Sequence, residues 1–287
     1  MILVTGAAGK TGRAGIRALV AKGEPVRGLA HRPEQIRLVE ELGAQDVVVG
    51  DMRHQASMDR AAQGMRAIYH ICPNVHPDEV AIGQTAIAAA RSAGVEHFVY
   101  HSVLHPQVEA MPHHWLKMRV EEQLFQSGLS YTILQPAAYM QNVLAHWELI
   151  LEQGVYPVPY AVETRLGMVD LEDVAEAAAI VLTEPEHGGA TYELSSADVL
   201  SQTEVAAILS QQLGRPVRAE AVPLGTAEDL AWESRARESG LGDYQVETLV
   251  KMFRYYERYG FWGNPRILGW LLGRPPTTFA AFVERVA

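Results

Sequence analysis

The chain has 287 residues and a mass of 31.6 kDa, with 48% hydrophobic and 20% charged side chains. It is long enough to bury a sizeable core, and it is neither a disulfide-stapled mini-protein nor a collagen-like or disordered chain. Basic residues number 24 and acidic ones 34, for a net charge of −10, a field that repels phosphate backbones and anionic membranes, and no basic run provides a local nucleic-acid footprint.

The single cysteine, Cys72, excludes an intrachain disulfide and suits a reducing cytoplasm, where the chain is expected. Met1 to Thr5 is an apolar stub without a basic leader, and no window reaches the roughly eighteen apolar residues that a membrane span requires.

In chain order, short β-branched runs alternate with longer segments of helical period, the pattern of repeated βαβ units around a parallel sheet. Strands are expected at Ile2–Thr5, Pro25–Ala30, Asp46–Val49, Ala67–Ile71, His97–Ser102, Tyr131–Leu134 and Thr191–Leu194. Between them lie helical patterns at Thr11–Ala21, Glu34–Leu42, Met58–Ala62, Asp78–Ala93 and Pro112–Gln126, closed by Gly23, Gly43, Gly64, Gly94 and Gly128 at the positions of left-handed caps. After Pro136 the alternation weakens. Gly154–Pro159 reads as a loop or short strand leading away, and Leu171–Leu182 as a helix whose acidic start complements the helix dipole. From Glu184 the chain mixes helical stretches with the aromatic run Tyr255, Tyr256, Tyr259, Phe261 and Trp262. The expected fold is α/β, a Rossmann-type doubly wound parallel sheet with a smaller C-terminal substrate-binding cap. Residues 1–137, with 166–183 returning, would form the dinucleotide-binding part, and 138–165 and 184–287 the cap.

Directly after the first strand, Gly6-Ala7-Ala8-Gly9-Lys10-Thr11-Gly12 opens the first helix. Glycines are needed where a strand turns sharply, where backbone approaches a pyrophosphate and where helix packs closely on sheet, and the free N–H groups of the helix start then bind the anion. A glycine-rich turn without a ligand is the bland alternative. Gly9-Lys10-Thr11 also contains the end of a triphosphate loop, but that motif requires glycine at position 4, where Val4 stands.

The spacing Gly-x-x-Gly-x-x-Gly resembles the glycine loop of atypical short-chain dehydrogenase/reductase proteins, specifically the NmrA-like family. The resemblance continues through Val26 to Glu34, Gly50-Asp51, Glu96 to Val103, Tyr131 to Ala137 and Met168 to Ala175, over roughly the first 180 residues in the right order. It implies an oxidoreductase binding NAD(P), with cofactor contacts at Gly6, Ala8, Gly9, Lys10, Thr11, Gly12, Asp51, Met52, Ile71, Cys72, Pro73 and Pro136. Cys72 is read as a small cleft-wall residue rather than a nucleophile. At the end of the second strand an NAD site places an acid and an NADP site a cation. His31-Arg32 stand there, so NADP is favoured over NAD; the family carries its arginine where His31 is, and Arg32 would reach in from the next position. An exposed helix-entry cation is the alternative for Arg32.

Short-chain reductases pair a serine with Tyr-x-x-x-Lys, the lysine lowering the phenol pKa. Ser102 closes the fifth strand, but His113 occupies the tyrosine position before Lys117. Four residues apart, they share one helical face beside Leu116, Val120 and Leu124. Lys117 also matches the lysine that acts as acid/base without tyrosine in isoflavone reductase-like relatives, and it too would contact the cofactor. As an i, i+4 pair with Glu121, Lys117 would instead be an ordinary surface residue worth about 0.2–0.5 kcal/mol.

Seven histidines crowd positions 70 to 114, yet His97 and His101 would stand about 13 Å apart on a strand at about 3.3 Å per residue, so no metal site is expected. His105, Tyr139, Asn142, Phe261 and Trp262 are the expected substrate contacts, although an aromatic stripe also suits a core. The leading expectation is an NADP(H)-dependent reductase of a small unsaturated, carbonyl or quinone-like substrate, with Lys117 or His113 managing a proton. The alternative is a non-catalytic, redox-sensing regulator acting through protein partners. It is kept open by the missing Tyr at 113.

Overall fold

The computed structural model describes residues 1–225 and 232–287. The seven strands expected from sequence stand side by side in one sheet, β1 (Ile2–Val4), β2 (Val26–Ala30), β3 (Asp46–Val49), β4 (Ala67–His70), β5 (His97–His101), β6 (Tyr131–Pro136) and β10 (Ala190–Leu194). Their order is β10-β6-β5-β4-β1-β2-β3, and every pair is parallel. Side chains alternate between two buried faces, as both-sided coverage of a parallel sheet requires. Ile2, Val4, Tyr69, Val99 and Leu134 enter one core, and Leu3, Ile68, Phe98, Tyr100 and Ile133 the other.

Helices α1 (Lys10–Ala21), α7 (Leu171–Thr183) and α11 (Pro265–Leu272) cover the first face, and α3 (Gln55–Ala62), α4 (Glu79–Ser92) and α5 (Pro112–Phe125) the second. The helix expected over Glu34–Leu42 is shorter: a 3-10 turn at Pro33–Gln35 runs into α2 (Ile36–Glu40). From β1 the chain winds outward through β2 and β3, then crosses to β4 and winds the other way. The crevice of such a sheet opens at this switch, at the carboxyl ends of β1 and β4.

Beyond β6 the structure holds more strand than periodicity reveals. β7 (Ala138–Tyr139), β9 (Arg165–Val169) and β11 (Val199–Ser201) form a three-stranded sheet. The stretch expected as loop or short strand is β8 (Val155–Val158), which pairs in parallel with β12 (Arg218–Ala221). It follows α6 (Trp147–Gln153), which ends on left-handed Gly154. In β12 the only apolar residues alternating with Arg218 and Glu220 are alanines, which carry little strand preference, so pairing with β8 makes it a strand. With α8 (Gln202–Leu213) and α12 (Phe279–Val286), these strands enclose a third core that includes Tyr156, Val205, Leu209, Phe279 and Phe282. α9 (Trp232–Glu238) and α10 (Asp243–Tyr259) complete the described chain. Of the segments assigned above to the cap, residues 226–231 lie outside the described residues.

Candidate active site

The first turn of α1 is bare. Its N-cap, Gly9, has no side chain to offer, no acid stands in the turn, and Gly6 takes a left-handed φ of 59° so that the chain can double back from β1. The Gly9 N–H donates to the Gly6 carbonyl at 2.9 Å, leaving the N–H groups at the helix start facing out of the sheet's carboxyl edge. A Cβ on Gly12 would lie 2.8 Å from both the Ala7 Cα and the Gly6 carbonyl carbon, so this position admits only glycine if helix and strand are to pack so closely. Such a cradle fits an anionic pyrophosphate, since the dipole and unpaired N–H groups both favour negative charge there.

At the end of β2, His31 and Arg32 are exposed, their backbone N–H groups bound by the Gln35 side chain. Neither has an ion-pair partner among the described residues. At the end of β3, Asp51 is clamped by Arg53 at 2.7 Å, which holds its carboxyl well below the usual carboxylate range, and Met52 packs on the second core. The acid at this end of the crevice is therefore neutralised by its neighbour. The Arg32 guanidinium and the His31 ring beside it stand exposed at the end of β2, with no acid paired to either among the described residues.

At the centre, the Thr5 hydroxyl accepts from the Ile71 N–H at 2.8 Å, fixing the exit of β4. Cys72 follows, buried, and burial pushes its thiol well above the ordinary range, so it is a wall and not a thiolate. Pro73 beside it is exposed, and Pro136, at the end of β6, is buried and accepts from the Leu104 N–H.

The structure places Ser102, His113 and Lys117 differently from one another. Lys117 is 5% exposed, and its ammonium donates to Glu79 at 3.0 Å and to the His101 carbonyl at 3.1 Å. It is not the surface partner of Glu121. That carboxylate is itself buried and binds the Ser102 hydroxyl and the Gln135 amide, and burial raises its pKa. Glu79 also accepts from the Tyr100 hydroxyl at 2.9 Å. Ser102 and Lys117 are thus each held by a buried carboxylate. His113 is buried at the start of α5, and desolvation drives its pKa well below the ordinary range, so it stays neutral at physiological pH.

The aromatic candidates divide. Phe261 is 2% exposed, stacked on Tyr256 at 4.6 Å and met edge-on by His105 and His114, whereas Trp262 is 46% exposed. His105 itself sits at a left-handed φ of 53°, a conformation uncommon for a histidine. His114 donates from Nδ1 to the Leu104 carbonyl and accepts at Nε2 from Tyr256, tying α10 to the loop after β5.

Sequence reasoning missed Tyr69 and His101, which join the expected residues Tyr139 and Thr11 in a second cluster. Tyr139 extends its hydroxyl to within 2.6 Å of His101 Nε2 and 3.4 Å of the Thr11 hydroxyl, while His101 Nδ1 meets the Tyr69 hydroxyl at 2.7 Å. Lys10 lies over the Tyr139 ring at 5.8 Å and donates to Asn142 at 2.9 Å. The available signal was the polar ends Tyr69-His70 and Tyr100-His101 of two otherwise apolar central strands. Buried polar side chains at such positions need partners.

Comparison with known proteins places this geometry among reductases. The profile of the NmrA-like family matches residues 1–273. An NAD(P)H azoreductase of Xenophilus azovorans is 31% identical over 286 residues, covering 99% of this chain and 97% of that protein. Quinone oxidoreductase 2 of Escherichia coli (strain K12) is 27% identical over 288 residues, covering 100% and 98%. Among solved structures, an NADPH-dependent quinone oxidoreductase from Escherichia coli complexed with NADPH superimposes with a TM-score of 0.85 at 27% identity, covering 100% of this chain and 99% of that one. The Citrobacter sp. triphenylmethane reductase complexed with NADP(H) shares the fold, with a TM-score of 0.84 at 24% identity and coverage of 100% and 99%.

Proposed function

The chain belongs to the NmrA-like family, and from that premise we propose that it is an NADPH-dependent reductase of a small quinone-like, azo or otherwise unsaturated acceptor. The observation that carries the reading is the bare N-terminus of α1, with Gly6, Gly9 and Gly12 shaped to an anion and no acid in its first turn. When bound, the cofactor supplies a hydride. Every other contribution belongs to this chain.

In this reading the N–H groups of the α1 start hold the pyrophosphate, and Arg32, with His31 beside it, meets the 2′-phosphate. Asp51 stays tied to Arg53 and does not oppose that phosphate. Ile71 and Cys72 form the wall over which the dinucleotide crosses. Lys117 keeps the end of β5 in place through the His101 carbonyl, with Glu79 balancing its charge. His105, His113 and Asn142 are candidates for the acceptor side of the crevice, and Phe261 backs them from the core. The reductase reading stands ahead of a non-catalytic regulator because the relatives that match nearly the full chain carry reductase names.

The test is fluorescence titration with NADPH and then NADH, followed by NADPH consumption with benzoquinones, azo dyes and triarylmethane dyes. Tight NADPH binding with turnover of at least one acceptor class is the expected result. Binding without turnover of any would return the regulator reading, and failure to bind either cofactor would overturn the assignment of the glycine loop.

A further inference from the structure

The hydrogen-bonded row Tyr69, His101, Tyr139 and Thr11 runs from the sheet core to the first turn of α1. Its direction can be worked out from burial. His101 is 7% exposed, and desolvation drops its pKa to about 3, so its ring is neutral, with one nitrogen donating and the other accepting. Two arrangements are then possible. In one, Tyr139 donates to Nε2 and Nδ1–H donates to the Tyr69 oxygen. The Tyr69 proton would then point into a core where no other acceptor lies within bonding distance among the described residues, and Tyr69 is fully buried. An unmet buried O–H costs roughly 1–3 kcal/mol.

In the other arrangement, Tyr69 donates to Nδ1 and Nε2–H donates to the Tyr139 oxygen, and every buried group is satisfied. The second arrangement therefore holds. The Tyr139 oxygen accepts from His101 and, at 3.4 Å, from the Thr11 hydroxyl, so its own proton has no inward acceptor and is turned to the crevice.

The position suits chemistry. Tyr139 is half-buried between α1 and β5, on the β4-β5-β6 side of the switch point, opposite the adenosine side marked by His31, Arg32 and Asp51. The Lys10 ammonium lies over its ring, 5.8 Å from the centroid. Two donors aimed at one phenol oxygen stabilise the negative charge that develops there as the proton leaves.

Resting on the reductase reading, we propose that Tyr139 is the proton donor to the reduced acceptor, with His101 and Tyr69 as the positioning residues that aim it. For a quinone, a hydride from the reduced nicotinamide brings two electrons to the acceptor and leaves an oxyanion. The Tyr139 O–H bond breaks, a new O–H bond forms on that oxyanion, and the phenolate, held by His101 and Thr11, recovers a proton from water. A triarylmethane dye cation is the internal control. Hydride addition forms a C–H bond at its central carbon and yields a neutral product without any proton.

The experiment compares the wild-type protein with Tyr139→Phe and Tyr69→Phe, using a benzoquinone and a triarylmethane dye cation as acceptors. Tyr139→Phe should lower kcat for the quinone about 100-fold, the low end of general acid catalysis, with the NADPH Kd and the rate with the dye cation within about threefold. The solvent deuterium isotope effect on quinone reduction should disappear with it. Tyr69→Phe removes the donor that sets the tautomer, so a smaller loss in kcat for the quinone is expected, at unchanged KM. Unchanged quinone turnover in Tyr139→Phe overturns the proposal. So do equal losses with both acceptors or a tenfold weaker NADPH Kd, which would make Tyr139 a cofactor anchor. Wild-type protein that reduces neither of these acceptors nor an azo dye overturns the reductase reading itself, and the proposal falls with it.

Discussion

Replacing Gly12 by alanine should weaken NADPH binding far more than it weakens the fold. The added Cβ would stand 2.8 Å from the Ala7 Cα and the Gly6 carbonyl carbon, and closer still to the Gly6 oxygen. Ordinary carbon contacts are about 3.5–4.0 Å, so loop and helix must separate by about 1 Å, and the obstacles are backbone atoms that cannot turn aside. Hydrogen bonds of about 2.9 Å stretched by that distance are lost. Losing one bond to a charged phosphate costs about 1.5–3 kcal/mol, or a rise in Kd of about 10- to 150-fold. Strain of about 1–3 kcal/mol in the folded protein is partly offset by the roughly 1 kcal/mol advantage of alanine over glycine inside a helix. Gly15→Ala is the control. It has the same helical advantage, and its Cβ meets only the Tyr69 side chain, at 3.1 Å. Fluorescence titration with NADPH, together with thermal denaturation, measures both quantities. Gly12→Ala protein that binds NADPH within about twofold of the wild type would refute the cradle.

Arg32→Ala should raise the Kd for NADPH by the equivalent of about 1.5–3 kcal/mol and leave NADH nearly unchanged, and parallel losses in the two titrations would remove Arg32 from the 2′-phosphate. Lys117→Met should lower the urea-unfolding free energy by about 3–5 kcal/mol, because Glu79 is left buried with its charge unpaired, and adding Glu79→Gln should restore most of the loss; a single variant as stable as the wild type would show that the pair is not the anchor of α4 and α5. Stability should also fall with acid. His70, His101 and His114 are buried, with pKa values lowered by desolvation to about 4, 3 and 4. Their folded values lie below the ordinary 6.5, so the unfolded chain binds more protons. Their contribution is complete above pH 6.5 and is lost as pH falls toward 4, by about 1.4 kcal/mol per unit for each histidine. A urea midpoint that stays flat between pH 7 and pH 5 would contradict their burial.

Periodicity and turn chemistry were enough to read the seven parallel strands, because the inner strands are short, mostly apolar runs buried on both faces, and the helices between strands end at cap glycines. The tight glycine turn after β1 was equally legible. Its requirement is steric and local, and Gly6, Gly9 and Gly12 state it within seven residues. The small sheets were not: β12 alternates charged residues with alanines, which carry little strand signal, and its pairing with β8 makes it a strand. Nor could sequence decide the fate of the polar residues near the crevice. Sequence left Lys117 open between a cleft-facing acid/base and a surface partner of Glu121 one helical turn away, whereas tertiary packing carries it to Glu79 on the neighbouring helix and gives Glu121 to Ser102. Tyr69, His101, Tyr139 and Thr11 come from four separate elements, and their hydrogen bonds span up to 128 positions of sequence. Local pattern records which residues must be buried. Which buried donor meets which acceptor is decided only when the sheet closes, because an unpaired polar group in the core is too costly to leave, and the partner that satisfies it lies wherever the fold places one.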